Sequence, residues 1–210
     1  LDDAVMEILA DALALLEHGE VLQLLVEARV VDRDARVASE RLDEALVVGV
    51  ANDSSIAYGC ARAFHELGAE LAITYLNDKA RPYVEPLVRD LRAPLFLPLD
   101  VSVEGQLEAV FDAIGKTWGE LDILVHSIAW APKDDLQGGL LNCSAEGFAR
   151  AMDVSCHSFI RMARLAAPLM TDGGAMFAMS YHGANRVVPN YNVMGPVKAA
   201  LEAVCRYLAY

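Results

Sequence analysis

The first 31 residues carry apolar side chains at about every third or fourth position, a spacing that predicts an amphipathic helix. The stretch 17–20 interrupts this pattern with charged residues and a glycine, so a helical hairpin is expected. Residues 32–45 are rich in charged side chains and have no clean period, which is typical of a linker or a frayed helix. The pattern therefore predicts an N-terminal helical segment.

The pattern changes at residue 46, where short apolar runs begin to alternate with amphipathic stretches. Apolar runs of this length predict strands that are buried on both faces. Five strands are predicted, at 46–50, 71–75, 95–99, 121–125 and 175–179. Helices are predicted at 55–67, 81–91, 103–118, 145–170 and 192–210. Because strands that alternate with helices are joined by right-handed crossovers, we predict the α/β class, with a doubly wound, Rossmann-type parallel sheet.

The composition suits one compact domain with a short appendage, since 55% of the 210 residues are hydrophobic and 22% are charged. The net charge is −13, and residues 1–45 hold 12 acidic side chains against 4 basic ones. We therefore divide the chain into an acidic helical extension of unknown origin at 1–45 and a dinucleotide-binding domain at 46–210. Neither part has the basic stripe of a nucleic-acid-binding protein, so no nucleic-acid partner is expected.

Membrane, secretory and metal-binding classes are also not expected from the sequence. No apolar run approaches the roughly 18 residues that a membrane span requires. The first residues, a leucine and two aspartates, differ from the basic start of a secretory signal, so a cytoplasmic location is expected. The histidines and the four cysteines are not grouped at ligand spacings, so no metal site is expected.

The turn at 49–59 is the first candidate binding element, because it follows the first predicted strand. In doubly wound sheets, ligands bind beyond the carboxyl ends of the strands. Gly49 would let the backbone approach a pyrophosphate, whose charge is favoured by the N–H groups that begin the next helix. The turn lacks the G-x-G-x-x-G spacing, so an ordinary strand-to-helix turn is the alternative interpretation.

Tyr191 and Lys198 form the second candidate site. They are seven residues apart on one predicted helix, which places them within about 20° of the same helix face. A cation near a phenol lowers the pKa of that phenol and suits it to proton donation or to binding an oxyanion. Tyr181, at the end of the fifth predicted strand, points to the same rim of the sheet. Two side chains also share a helix face by chance, and the spacing alone leaves that interpretation open.

Three segments resemble bacterial NADH-dependent enoyl-acyl-carrier-protein reductases, a divergent group of the short-chain dehydrogenase/reductase superfamily. The segments are 49–59, 126–132 and 180–198, and they follow the order of the family. The last segment holds a Tyr-x6-Lys pair, preceded by a second tyrosine ten residues upstream. The resemblance implies an oxidoreductase of fatty-acid elongation that uses NADH to reduce trans-2-enoyl-acyl-carrier-protein thioesters. It also implies a homo-oligomer, expected to be a tetramer, whose partner is acyl carrier protein.

The resemblance assigns a role to each matching residue. The implied catalytic residues are Tyr181, Tyr191 and Lys198, and Ala131 is implied to contact the acyl substrate. The implied NAD-binding residues are Gly49, Ser55, Ile56, Leu76, Asp100, Val101, Ile128 and Lys198. At Leu76 the chain departs from many relatives, which carry a glutamine against the ribose on the adenine side.

A further departure concerns the C-terminus, because relatives continue beyond the point where this sequence stops, twelve residues after Lys198. The resemblance therefore implies a reductase domain that is incomplete, with an uncovered sheet edge and little activity of residues 1–210 alone. Two alternatives remain open. The chain is a non-catalytic nucleotide-binding fragment or pseudoenzyme, or it is a short-chain dehydrogenase with another substrate.

Overall fold

The computed structural model describes residues 25–29, 44–137 and 139–210. The strands are β1 (Leu25–Arg29), β2 (Glu44–Val48), β3 (Glu70–Tyr75), β4 (Leu95–Pro98), β5 (Ile123–His126) and β6 (Ala175–Met179). The α-helices are α1 (Ile56–Glu66), α2 (Arg81–Asp90), α3 (Gln106–Thr117), α4 (Lys133–Gln137), α5 (Ala145–Met152), α6 (Ser158–Ala166) and α7 (Met194–Leu208). A π-helical turn (Asp153–His157) joins α5 to α6, and 3₁₀ turns lie at Leu140–Asn142, Ala167–Leu169 and His182–Ala184.

The strands form one sheet in the order β1-β6-β5-β2-β3-β4. The pairs β6–β5, β5–β2, β2–β3 and β3–β4 are all parallel. The chain runs outward from β2 through β3 to β4 on one side, and through β5 to β6 on the other. The prediction of a doubly wound parallel sheet is therefore confirmed, and the strand order reverses between β2 and β5, where such folds bind ligands.

The predicted N-terminal helix at 1–31 is wrong where the structure describes it, because Leu25–Arg29 forms strand β1. This strand pairs antiparallel with β6, with Leu25 opposite Met179. The unpaired backbone groups of an edge strand are ready partners for another strand, and that non-local pairing outweighs a helical spacing of side chains. An uncovered sheet edge was expected, and in the structure β1 pairs along the outer edge of β6. The rest of the predicted helix, 1–24 and 30–31, lies outside the described residues.

The first predicted strand, 46–50, is also shifted, because β2 runs from Glu44 to Val48. Glu44 is half-buried and opposite Glu70 of β3. The apolar run that predicted the strand starts two residues later, since a polar residue at a strand end leaves no mark on the hydrophobic pattern. Most of the predicted linker, 32–43, lies outside the described residues.

Both faces of the sheet are covered, as its continuous apolar strands require. Successive side chains of β2 point to opposite faces, so Leu46 and Val48 join one core cluster while Ala45 and Val47 join the other. The first cluster packs against α3, α5, α6 and α7, and the second against α1 and α2. Four consecutive fully buried residues in β2 fix this central strand, and with it the turn that begins at Gly49.

The long helix predicted at 145–170 is present but interrupted by the π-helical turn Asp153–His157. A π turn inserts an extra residue, which rotates the side chains that follow it. Here it turns Ser155 and Ser158 inward, where both are fully buried. The hydroxyl of Ser155 accepts a hydrogen bond from the Trp130 backbone N–H (2.8 Å) and donates one to the Trp130 carbonyl (2.9 Å). The helix thereby holds the loop that follows β5.

Candidate functional site

Two adjoining cavities open at the carboxyl ends of the strands. The first, which we call the turn cavity, has a volume of about 380 Å³ and is lined by residues after β2, β3, β4 and β5. The second, the tyrosine cavity, has a volume of about 390 Å³ and is lined by residues after β5 and β6 and by α7. Both are lined by Ser127, Ile128 and Ala129, so the loop after β5 is their common wall.

Gly49 shapes the floor of the turn cavity. Its φ is +108°, a backbone conformation that side chains other than glycine rarely adopt. A Cβ added at this position would lie 2.0 Å from the carbonyl oxygen of Ser127, far inside the contact distance. The Ser127 N–H also donates to the Val48 carbonyl (2.9 Å). The close approach of these two loops therefore requires a glycine, because the Ser127 backbone occupies the place where a side chain would stand.

The residues expected to bind a cofactor divide into three groups, the third being Lys198, which lines the tyrosine cavity. Gly49, Leu76, Asp100, Val101 and Ile128 all line the turn cavity. Ser55 and Ile56 lie at the start of α1 but are not among the residues that line it. The Ser55 hydroxyl instead donates to the Asn52 carbonyl (2.7 Å), which closes the turn before the helix.

The loop after β4 is held from two directions. The backbone N–H of Asp100 donates to Gln106 Oε1 (2.7 Å), and the Asp100 carboxylate accepts from the N–H of Ser102 (2.8 Å). From the other side of the loop, Nη1 of Arg161 on α6 donates to the carbonyl of Val101 (2.9 Å). These bonds fix the wall of the turn cavity that the resemblance assigns to the adenine.

The tyrosine cavity brings together Tyr181, Tyr191 and Lys198, the three residues expected to be catalytic. The two tyrosine rings pack edge to face, with their centroids 4.9 Å apart and an angle of 63° between their planes. Ala131, expected to contact substrate, lies after β5 and is half-buried against the core, and it lines neither of the two cavities. The sequence segments 126–132 and 180–198 thus meet at one wall.

The prediction that Tyr191 shares a helix with Lys198 is wrong, because α7 begins at Met194. Tyr191 lies in the preceding turn, flanked by Asn190 (φ +65°) and Asn192 (φ +36°). Asparagine tolerates this left-handed conformation. Because it is not helical, α7 begins after Asn192 and does not extend back to Tyr191. The turn, not a helical face, therefore places the phenol beside the ammonium-bearing wall.

Lys198 is almost fully buried, with 3% of its surface exposed. Its ammonium group donates to the carbonyl of Met179 (2.6 Å) and to that of Ile128 (3.3 Å). These carbonyls lie at the end of β6 and after β5, so one side chain ties together both strands that border the tyrosine cavity. Burial lowers the pKa of Lys198 to about 8, because a charged ammonium loses its hydration there.

The pKa of Tyr191 moves in the opposite direction to the one expected from the sequence. Burial, and then the proximity of Tyr181, raise it to about 12. The ammonium group of Lys198 is directed at backbone carbonyls and does not lower the pKa of the phenol. Tyr191 therefore carries its proton throughout the neutral pH range, so its hydroxyl has a hydrogen to donate.

His126, at the end of β5, is a structural residue that lines neither of the two cavities. It is fully buried, and its Nε2 lies 2.7 Å from Ser158 Oγ. Since the Ser158 hydroxyl already donates to the Val154 carbonyl (2.7 Å), Nε2 carries the proton and donates to Ser158. Burial, with a smaller contribution from the charge of Lys198, lowers the pKa of His126 to about 3.

The sequence did not predict two residues that support the tyrosine cavity, Gly183 and Glu202. A Cβ added at Gly183 would lie 2.5 Å from Cδ1 of Tyr191, so this glycine lets the ring pack against the 3₁₀ turn. Glu202 is a buried carboxylate that accepts from the hydroxyl of Ser180 (2.6 Å). Glu202 could have been found, because it follows Lys198 by four residues on α7 and an acidic residue is out of place on a buried helix face.

Within 25–29, 44–137 and 139–210, no three or more histidine, cysteine or acidic side chains are grouped so that they could hold a metal ion. In the same part of the chain, none of the helices combines the length and apolar character that crossing a bilayer demands.

Comparisons with known proteins converge on one family. The family model described as enoyl-(acyl carrier protein) reductase matches residues 49–210. The chain is 49% identical over 168 residues to an enoyl-acyl-carrier-protein reductase (NADH) of Nostoc, covering 79% of this chain and 65% of the relative. It is 47% identical over 167 residues to the enzyme of that name from Aquifex aeolicus, covering 79% of this chain and 62% of the relative. The chain thus spans less than two thirds of the length of either relative.

Solved structures of such reductases share the fold. One, from Anaplasma phagocytophilum in complex with NAD, superposes with a TM-score of 0.77 at 44% identity and covers 80% of this chain and 64% of that one. Another, the Aquifex aeolicus reductase (NADH), gives a TM-score of 0.78 at 47% identity, covering 80% and 67%.

Proposed function

The chain belongs to the enoyl-(acyl carrier protein) reductase family, and from this premise we propose that it carries the cofactor-binding and catalytic core of an NADH-dependent enoyl-acyl-carrier-protein reductase. The reaction reduces the double bond of a trans-2-enoyl thioester to give a saturated acyl thioester. The observation that carries the proposal is the tyrosine cavity, where Tyr181, Tyr191 and Lys198 line one wall beside the turn cavity.

The turn cavity fits a dinucleotide cofactor. Gly49 and Ser127, whose backbones approach too closely for a Cβ at position 49, both line this cavity, so an extended ligand there would lie beside backbone. Gly49, Leu76, Asp100, Val101 and Ile128 would hold NAD there, and Lys198 would hold its nicotinamide end. When bound, NADH supplies a hydride for C3 of the enoyl thioester. Relatives of this name are NADH enzymes, and one neighbouring structure was solved in complex with NAD.

Tyr191 supports the reaction by donating a hydrogen bond to the thioester carbonyl. As C3 is reduced, negative charge collects on the carbonyl oxygen of the resulting enolate. A hydrogen bond inside a half-buried cavity stabilises that charge more than it stabilises the neutral substrate, which lowers the barrier. The pKa of about 12 keeps the phenol protonated in this role. C2 then takes up a proton to complete the saturated product.

Tyr181 and Lys198 both help to position the hydroxyl group of Tyr191. The edge-to-face contact with Tyr181 restricts the ring of Tyr191 to one orientation. Lys198 holds the strand ends that form the cavity wall through its bonds to Met179 and Ile128. A donor fixed in advance needs no reorganisation as the charge develops, and this is the main source of such stabilisation.

The side chains at the adenine end support NADH rather than NADPH. Leu76 lines the turn cavity with an apolar side chain, and the guanidinium of Arg81 stacks over the rings of Tyr75 and Phe96, 5.7 and 6.0 Å from their centroids. Arg81 also lies 3.6 Å from the Glu85 carboxylate. A cation held in this way is already satisfied, which leaves it less available for a 2′-phosphate.

We further propose a cytoplasmic homo-oligomer, a tetramer, that acts on enoyl chains bound to acyl carrier protein. Phe148 of α5 and Ile160 of α6 expose apolar side chains on two consecutive helices. Exposed large apolar side chains support an interface. Light scattering on the purified chain measures the oligomeric state, and a monomer at micromolar concentration contradicts this part of the proposal.

A single assay tests the function. We expect the near-ultraviolet absorbance of NADH to fall when NADH and a crotonyl thioester are mixed with a protein that contains the whole reductase domain. The 210-residue chain is compared with a chimera in which the C-terminal remainder of the Nostoc relative follows Tyr210. We propose that residues 46–210 form an incomplete domain, so the chimera is expected to reduce the substrate and the chain alone to do so weakly. Reduction by neither protein, with NADH still bound, would favour a non-catalytic nucleotide-binding protein.

A further inference from the structure

Glu202 stands out because its carboxylate is buried and yet lies outside the tyrosine cavity. The residue is 6% exposed, and it is not among the residues that line that cavity. A buried carboxylate is costly unless both of its oxygens have partners. One oxygen of Glu202 accepts from Oγ of Ser180 (2.6 Å), and the other accepts from Nδ2 of Asn185 (3.3 Å). Its two partners are therefore the two ends of one short stretch of chain.

That stretch, the segment 180–185, carries Tyr181. Ser180 directly follows β6, and the 3₁₀ turn His182–Ala184 separates Tyr181 from Asn185. The turn packs closely on its surroundings, because a Cβ at Gly183 would lie 2.5 Å from the ring of Tyr191. A movement of either end of the segment would therefore move the ring of Tyr181 relative to that of Tyr191.

Side chains of α7 form hydrogen bonds with the last residue of β6 and with both ends of the segment 180–185. Lys198 donates to the carbonyl of Met179 (2.6 Å), and Glu202, one turn later, accepts from Ser180 and Asn185. Residues four apart lie on the same side of a helix, so both polar side chains project toward the end of β6. The first turn of α7 also touches the segment, since a Cβ at Gly195 would lie 3.1 Å from the Gly183 carbonyl oxygen.

We propose that Glu202 is a positioning residue for Tyr181: its carboxylate holds both ends of the segment 180–185 against α7 and so sets the ring of Tyr181 against that of Tyr191. The effect on catalysis rests on the function proposed above, whereas the effect on the two rings does not. Glu202 touches neither the cavity nor the reacting atoms, so it acts through Tyr181.

The test labels the chain with 3-fluorotyrosine and follows the ¹⁹F resonances of Tyr181 and Tyr191, assigned from their phenylalanine variants. In Glu202→Ala we expect both resonances to move toward the position of the unfolded chain, because the segment loses both of its bonds. In Glu202→Gln the amide still accepts from Ser180 and donates to a rotated Asn185, so both resonances are expected to stay near their original positions. Glu108→Gln, an exposed acid on α3, is the matched control.

The kinetic measurements use the same variants. They are made in whichever protein, the 210-residue chain or the chimera, reduces a crotonyl thioester. Glu202→Ala is expected to lower kcat by about tenfold to a hundredfold, as misplaced catalytic groups do, with KM for NADH nearly unchanged. Glu202→Gln is expected to restore most of kcat. A residue needed only for stability would lower the melting temperature without this split between kcat and KM.

Each outcome decides the proposal. Unmoved tyrosine resonances in a folded Glu202→Ala protein overturn it. If that variant does not fold, Ser180→Ala and Asn185→Ala each remove one of the two bonds, and unmoved Tyr181 resonances in both overturn it equally. If the two resonances move in Glu202→Ala but the parent protein has no reductase activity, the proposed function is contradicted while the positioning role of Glu202 stands.

Discussion

The turn cavity and the tyrosine cavity adjoin each other but are built by different means. The turn cavity is shaped by backbone, since the approach of Gly49 to Ser127 and the hydrogen-bonded loop after β4 define its walls. The tyrosine cavity is shaped by buried polar side chains, above all Lys198 and Glu202 of α7. Walls formed by backbone suit an extended ligand, because it can approach the ends of the strands closely. Polar side chains are needed where charge develops at one atom.

The largest effect on stability is expected from a substitution at Gly49, where two backbone segments that line the turn cavity meet. Gly49→Ala combines a φ of +108° with a contact of 2.0 Å to Ser127, so we expect a loss of about 3 kcal/mol or more in the free energy of unfolding. NADH binding should be lost with it. Urea denaturation and NADH fluorescence measure the two effects.

Gly68→Ala is the matched control, because Gly68 has a similar φ of +101° but no atom within 4 Å of the added Cβ. It should cost about 1 kcal/mol through backbone strain alone. Equal losses in the two variants would mean that the close approach of the loops does not matter.

The next effect concerns the chemistry of the tyrosine cavity. Tyr191→Phe removes the hydrogen bond to the developing oxyanion and is expected to lower kcat by about a hundredfold or more, as the loss of one oxyanion donor does. The affinity for NADH should remain nearly unchanged, because the turn cavity is untouched. Steady-state kinetics and NADH titration separate the two cavities.

The control for this variant is Tyr207→Phe, which alters a tyrosine of α7 that is 85% exposed. Its kcat should equal that of the parent protein. Full turnover in Tyr191→Phe would remove this phenol from the mechanism.

A smaller effect is expected from His126, which lies at the end of the strand between the two cavities. The folded protein lowers its pKa from 6.5 to about 3, so below pH 6.5 the unfolded chain binds more protons than the folded one. The stability present above pH 6.5 is therefore lost as the pH falls toward 3. Between pH 7 and pH 5 the loss from this residue is about 2 kcal/mol.

Urea denaturation of the parent and of His126→Gln at pH 7 and pH 5 measures this loss. The variant should lose less stability than the parent over that range. Parallel curves for the parent and His126→Gln would contradict the lowered pKa.

The smallest effect is expected at the rim of the turn cavity. Leu76→Gln adds a hydrogen-bonding group where the side chain is 54% exposed, and a single such bond is worth about 1 kcal/mol. The dissociation constant of NADH should fall by about threefold to tenfold. Leu67→Gln, at a leucine 57% exposed at the end of α1, should leave it unchanged. A loss of affinity in Leu76→Gln would indicate that the apolar side chain itself binds the cofactor.

The comparison also shows which parts of the site can be predicted from sequence. Gly49 is predictable, since a glycine directly after a buried strand marks a turn where backbone approaches closely. The pairing of Tyr191 with Lys198 was found from a helical spacing that the structure replaces with a turn. Both residues nevertheless line the tyrosine cavity, because they lie seven residues apart in one short stretch of chain. Glu202 was missed because its partners, Ser180 and Asn185, precede it by 22 and 17 residues.

The sequence alone determined the parallel sheet and the order of its central elements, because runs of apolar residues buried on both faces have few other arrangements. Tertiary structure decided that Leu25–Arg29 is a strand, since the free edge of β6 is not visible in local periodicity. It also decided the electrostatics of the site. The pKa of Tyr191 rises to about 12 and that of Lys198 falls to about 8, because desolvation depends on which distant residues exclude water from a group, and neighbours along the chain do not specify them.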